Sequence, residues 1–296
     1  MILLNEIGDD EIRVIGSGAS GKGPSTPWWK RWWIWLLAAI CVIVVVVVLV
    51  LTIGGSKDTP ANPEETGEED VETIDDSVNE FKLTNATDDG VAAVEVSTVT
   101  VEGHALKLFV PHNAVPELHV GHLDTNDLSI VFAVQAADVR KDNGGIVGAF
   151  VLKGEPLAWG LSKRGYCAII NGTMHIGVAS NSPLFERATE TGGYFFRQFA
   201  LVNNGVMEDN SAQSKSAIRR ALCQMADGVV IVESVEKLSL NDFSNLLVVM
   251  GAKNAIYLVG GEAFALVSDT SGRRYCLGYM WHRRMVNVNY LIFRRA

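Results

Sequence analysis

Nowhere does this chain carry a broad excess of positive charge. Its 25 lysines and arginines face 34 acids, a formal net charge of −9. Without a basic stripe or face it lacks the electrostatic footprint of a nucleic-acid binder, and no such partner is expected. Nor is it acidic throughout. Ten acids and only one base, Lys57, lie between Ser56 and Glu80, leaving 24 acids and 24 bases elsewhere. Cysteine is scarce as well. Cys41 lies in an apolar run, and Cys167, Cys223 and Cys276 sit in or beside apolar stretches further on. They read as buried thiols, or as one disulfide of unassigned pairing with one thiol left over. Internal repeats are absent, and His104, His112, His175 and His282 are too scattered to argue a Ser/His/Asp order.

One stretch lacks charge altogether. Residues 32–53 are 22 residues with no polar break other than Thr52. As a helix they would span a hydrocarbon core of roughly 30 Å. Trp28, Trp29, Trp32, Trp33 and Trp35 form an aromatic belt at one end, and Lys22, Lys30 and Arg31 precede the run while Lys57 alone follows. The positive-inside rule then places the N-terminus in the cytoplasm and the remainder outside it, in the periplasm if the host is Gram-negative. No A-x-A site follows, so the run is read as an uncleaved anchor and the membrane as a partner through a single span.

Before the anchor, "EIRVIGSGASGKG" (11–23) imitates a phosphate-binding loop, with Gly16, Gly18 and Gly21 in G-x-G-x-x-G spacing. Gly23 stands where that loop needs a hydroxyl for magnesium, and Pro24 and Pro27 follow at once. The stretch is read as a flexible tail. The chain thus divides into a cytoplasmic tail (1–31), a transmembrane helix (32–53), an acidic disordered linker (54–79) and an extracytoplasmic domain (80–296). That domain is expected to fold without the anchor.

Within it, 92–102 and 105–110 alternate with period two, and 130–134, 146–152, 166–170 and 228–234 are short apolar runs bounded by turns. One helix is marked by Ser239 as its cap, Asp242 in its first turn, Leu240, Phe243, Leu246, Leu247 and Met250 on one face, and Gly251 at its end. It joins strands 228–234 and 254–259 in a right-handed parallel crossover. The fold class is α+β, a mixed β-sheet domain with few helices, preceded by a single N-terminal transmembrane helix.

"HVGH" (119–122) with Asp124 offers two imidazoles and a carboxylate, but in an apparent loop with no fixed third ligand, so no metal and no cofactor are expected. Asn85-Ala-Thr and Asn171-Gly-Thr are glycosylation sequons if the host is eukaryotic. Arg219 and Arg220 open a strand-like run, so they point to opposite faces. One of them faces a cleft, where a guanidinium fork suits phosphate or carboxylate, or the two are surface ion pairs.

Taken in order, "FFRQFALVNNGV", "SAIRRALC", "DGVVIVES", "LSLNDFSNLLVVMGAKNAIYL" and "VGGEAF" resemble the phosphodiester glycosidase family over about residues 128 to 293. That family includes the enzyme that uncovers mannose 6-phosphate and many bacterial extracytoplasmic proteins. The resemblance implies a site at the segment ends, and this chain departs from the family pattern there. Gln135 stands for an asparagine, and Ala137-Asp138-Val139 for a small residue and aromatics. Arg219 matches the family's arginine. Gly260 and Gly261 are kept, while Val259 replaces an aspartate, Glu262 the third glycine and Ala263 a serine. Gln135, Gly260 and Gly261 are then the ligand-binding candidates, and Arg219 and Glu262 the catalytic ones. Arg219 and the backbone amides after Val259 are expected to hold a phosphate. Valine cannot assist at an anomeric carbon, and Glu262 lies up to about 10 Å further along an extended chain. Together with the anchor read above, the resemblance and these departures from it imply a membrane-anchored domain that binds a sugar phosphate or phosphorylated glycan with reduced or no turnover. Its alternatives are an active hydrolase using Glu262 and a structural subunit of a membrane assembly with protein partners unknown.

Overall fold

A computed structural model describes residues 84–213, 215–280 and 286–296. The expected tail, anchor and linker all lie outside the described residues. Among the described residues, no helix is long and apolar enough to cross a membrane.

These residues form strands and two helices. The first strands are β1 (Ala93–Val101), β2 (His104–His112), β3 (Ala114–Val120), β4 (Ile130–Gln135), β5 (Ala149–Leu152) and β6 (Glu155–Trp159). There follow β7 (Gly165–Ile170), β8 (Thr173–Val178), α1 (Leu184–Glu190), β9 (Tyr194–Gln198), β10 (Ala200–Asn203) and β11 (Val206–Met207). Last come β12 (Arg220–Met225), β13 (Gly228–Ser234), α2 (Leu240–Val249), β14 (Asn254–Leu258), β15 (Ala265–Ser268), β16 (Arg274–Leu277) and β17 (Asn289–Arg295). Three sheets result, in the orders β1-β2-β13-β12-β14-β10-β11, β16-β15-β4-β17-β3 and β6-β5-β9-β7-β8.

The apolar runs explain the layering. Inward residues of all three sheets meet in one core, where Phe132 of β4 lies 5.4 Å from the ring of Phe109 and 5.9 Å from that of Phe293. Each such ring withdrawn from water stabilises by about 1.5–3 kcal/mol. Period-two alternation marks β1 and β2, which pair throughout from Ala93–His112 to Val101–His104.

Helix α2 begins where the sequence places it. Ser239 Oγ accepts from the Asp242 amide at 3.0 Å and donates to the Asp242 carboxylate at 2.7 Å. Leu240, Phe243, Leu246 and Leu247 are buried against Ala221, Val232 and Tyr257. The unit β13–α2–β14 does connect strands that run the same way, but β12 lies between them and pairs antiparallel with both. Neighbouring strands in all three sheets are antiparallel, and parallel pairing is confined to isolated bridges such as Val94–Asp269.

Cys167 and Cys223 are free and buried in separate core clusters, and burial pushes both thiols up; Cys276 is free and exposed. The two sequons differ. Asn85 spends its amide nitrogen on the carbonyls of Pro111 (2.6 Å) and Val229 (2.9 Å), and its oxygen accepts from the Val229 amide at 2.9 Å. Asn171 is exposed at the β7–β8 turn. Made in a eukaryotic secretory pathway, the folded protein should carry a glycan on Asn171 and none on Asn85. Peptide mass mapping reads this directly, and a native, fully occupied Asn85 would contradict it.

Candidate functional site

Beyond β14 the chain turns at Val259-Gly260-Gly261-Glu262-Ala263, and the two glycines do different work there. A Cβ on Gly260 would stand 2.5 Å from the Ile218 carbonyl oxygen and 3.1 Å from the Arg220 nitrogen. Only a residue without a side chain lets these backbones approach so closely. Gly261 has φ +63° and open space around it, so its glycine answers a backbone requirement.

Four amides of this turn are already committed. Val259 N donates to Gln135 O at 3.3 Å, Gly260 N to Tyr257 Oη at 3.3 Å, Gly261 N to Ile218 O at 2.8 Å and Ala263 N to Gly260 O at 3.1 Å. Of the amides after Val259, those of Gly260, Gly261 and Ala263 are thus used within the fold. Val259 itself is 9 % exposed. Glu262 is exposed, and its backbone carbonyl accepts from Tyr279 N at 2.8 Å.

The two arginines do point to opposite faces, yet both are buried, so neither forms a surface ion pair. Arg219 is 6 % exposed. Its Nε donates to Leu238 O at 3.1 Å, its Nη2 to Lys215 O, and its guanidinium lies 5.9 Å from the Tyr257 ring centre. Arg220 is 1 % exposed and reaches the glycine turn, with Nη1 donating to Val259 O at 3.1 Å. Its Nε and Nη2 both donate to Glu233 Oε2, the first at 2.9 Å. The arginine in contact with the turn is therefore Arg220, already neutralised by a carboxylate. Arg219 braces the segment before β12 and the α2 side of the sheet.

The arm leaving β4 supplies the other wall. Gln135 pairs with Tyr290 of β17, and its backbone carbonyl holds the turn through Val259 N. Asn289 grips Ala137 from both sides, accepting from its amide at 2.7 Å and donating to its carbonyl at 3.2 Å. Asp138 then turns inward to Lys163 and Gln198, all three buried. Lys163 Nζ bonds the Asp138 carboxylate and Gln198 Oε1, the latter at 2.8 Å, and Gln198 Nε2 donates to Asp138 Oδ2 at 3.1 Å. Lys163 also stands 4.5 Å from the Phe199 ring centre, and Phe199 meets Tyr257 edge-on at 6.4 Å. The two cations Lys163 and Arg219 thus flank one aromatic pair.

Sequence reasoning missed this polar belt. Asp138 appears there only as a departure from a motif, and Lys163 and Gln198 carry no local signal. Chemically the belt is self-compensated: Asp138 offsets Lys163 and Glu233 offsets Arg220. At the turn, the acid with access to solvent is Glu262.

The histidine motif is also corrected. His119 belongs to β3, not to a loop, because it continues the strand's pairing with Tyr290. Its Nε2 lies 2.8 Å from the His122 carbonyl, and Asp124 Oδ1 accepts from Asn126 N at 2.9 Å. Among the described residues no cluster of three His, Cys, Asp or Glu side chains is placed to hold a metal.

Comparison with known proteins bears on this geometry. The phosphodiester glycosidase family profile matches residues 129–291, more than half of the chain. No curated protein sequence matches. Among solved structures, similarity extends to the catalytic domain of zebrafish N-acetylglucosamine-1-phosphodiester alpha-N-acetylglucosaminidase, auto-inhibited by its pro-peptide. That match has 12% identity and TM-score 0.48, covering 70% of this chain and 83% of that one. A Synechocystis protein matches at 12% identity and TM-score 0.49, covering 68% of this chain and 62% of that one. An exported protein of Burkholderia pseudomallei matches at 10% identity and TM-score 0.42, covering 64% and 74%.

Proposed function

Because this chain belongs to the phosphodiester glycosidase family, we propose that its domain recognises a sugar phosphate or phosphorylated glycan without appreciable hydrolysis. It does so outside the cytoplasm, tethered by the apolar run at 32–53. The observation that carries this reading is Val259, where the family places an aspartate, beside amides already bonded within the protein. Removing one principal electrostatic contributor from such a site costs about 3–4 kcal/mol of barrier, a factor of 10² to 10³ in rate. Here the carboxylate is missing, and the Gly260, Gly261 and Ala263 amides are spent within the fold.

What remains suits weak binding. Arg219 donates from Nε and Nη2, and its Nη1 makes no hydrogen bond among the described residues. Gln135 is half-buried with its side-chain amide unbonded among them. A phosphate at Arg219 and a sugar hydroxyl at Gln135 are the contacts these groups support.

A second reading has one observation in its favour: the Glu262 carboxylate is exposed at the turn. On that reading it replaces the lost acid and the domain turns over. Cleavage of a small panel of glycosyl phosphodiesters by the full-length protein, wild type beside Glu262→Gln, separates the two. Near-zero turnover in both, with sugar-phosphate binding weakened by Arg219→Ala, is the expected result. Robust wild-type turnover that vanishes in the glutamine variant would sink it.

A further inference from the structure

A second buried cation lies away from the glycine turn. Along β9, Gln198 faces the interior and Arg197, one residue earlier, faces the opposite side of the sheet, beside α1. Arg197 is 1 % exposed. Nη1 donates to the carbonyls of Lys163 at 2.9 Å and Ala179 at 2.8 Å. Among the described residues these are the guanidinium's only hydrogen bonds. Nε is buried with no acceptor, and no carboxylate comes within ion-pair distance. Buried charges in folded proteins are ordinarily paired and their N–H groups bonded. Arg197 Nε therefore lacks an acceptor, and Glu186 is close enough to favour the guanidinium's charge without forming an ion pair with it.

What lies over it is a cavity of about 200 Å³. Trp159, Leu161 and Phe185 give it apolar walls, and Glu186 and Arg197 also line it. Trp159 and Leu161 are 67 % and 63 % exposed, a large apolar surface to leave beside a buried charge.

We propose that this cavity binds a small monocarboxylate with a ring or other apolar body. The carboxylate is received by Arg197 through Nη2, which carries no hydrogen bond among the described residues and, unlike Nε, is not sealed from solvent. The body lies against Trp159 and Leu161. The volume falls below that of drug-sized sites, which limits the occupant to about one ring. Glu186 in the wall selects against phosphate, because repulsion between like charges grows with the ligand's charge. The site is independent of the phosphate reading above, since it uses the other face of β9 and neither Arg219 nor Gln135.

Ligand-observed NMR and calorimetry on the full-length protein in zwitterionic nanodiscs test it. Benzoate and methyl glucuronide are the probes, with benzyl alcohol, methyl glucoside and inorganic phosphate as comparators. Saturable binding of at least one carboxylate is expected, about tenfold tighter than its neutral counterpart and than phosphate. Trp159→Ala, at an exposed position, should weaken binding roughly fivefold, and Glu186→Gln should tighten it by about as much. Arg219→Ala should leave it unchanged, which separates this site from the glycine turn. No carboxylate binding at millimolar concentration, equal binding of the neutral comparators, a preference for phosphate, or indifference to both cavity variants would each overturn the proposal.

Discussion

Replacing Lys163 with methionine should destabilise the domain by about 3–5 kcal/mol, because Asp138 would remain charged, buried and without its cation. Both side chains of this pair are about 95 % withdrawn from solvent, at 4% and 5% exposure. Taking two charges out of water costs several kcal/mol each, and their mutual attraction with the Gln198 bonds roughly offsets that cost. Removing one partner leaves the cost and deletes the offset. Removing both does neither, so Lys163→Met combined with Asp138→Leu should recover most of the loss. Urea denaturation of the three proteins measures this as shifts in midpoint at constant slope. A single variant costing under about 1 kcal/mol, or a double no more stable than the single, would show that the pair is not what holds β4, β7 and β9 together at this end.

The next largest effect is expected at Gly260. Its missing Cβ leaves room for the Ile218 carbonyl oxygen at 2.5 Å, a distance no methyl group tolerates, and the obstacle is backbone rather than a side chain able to swing away. Gly260→Ala must therefore spread the start of β12 from the end of β14, costing about 3 kcal/mol as overpacking. Gly261→Ala is the internal control. It meets nothing within 4 Å and suffers only from φ +63°, a penalty of roughly 1 kcal/mol. Thermal melting of both variants should rank them in that order. If Gly261→Ala proves the more damaging, the close approach at Gly260 is not what the first glycine is for.

How much of this was readable beforehand depends on the range of the forces involved. The alternation in β1 and β2 and the Ser239–Asp242 cap are local, and both stand in the structure as the residues imply. The glycine turn is also local, and it was found. Two of its amide partners are not: Ile218 O lies 43 positions before Gly261 and Gln135 O far earlier still, so donors that look open in sequence are spent in space. The same distance hid the polar belt, since Lys163 meets Asp138 and Gln198 across 25 and 35 residues. Of the adjacent arginines, spacing fixes that they diverge but not which one meets Val259. That choice depends on Glu233, which β13 brings opposite Arg220.

The place of β17 in its sheet has a consequence for biogenesis. Its residues, Asn289–Arg295, fill the gap between β3 and β4, pairing Ala114 with Arg295 on one side and Val134 with Leu291 on the other. Synthesis delivers β3 and β4 roughly 150 residues before the strand that separates them, about ten to thirty seconds earlier at common translation rates. Throughout that interval two apolar strands present unsatisfied edges to each other and to their surroundings. This sheet is consequently completed only once nearly all of the domain has left the ribosome.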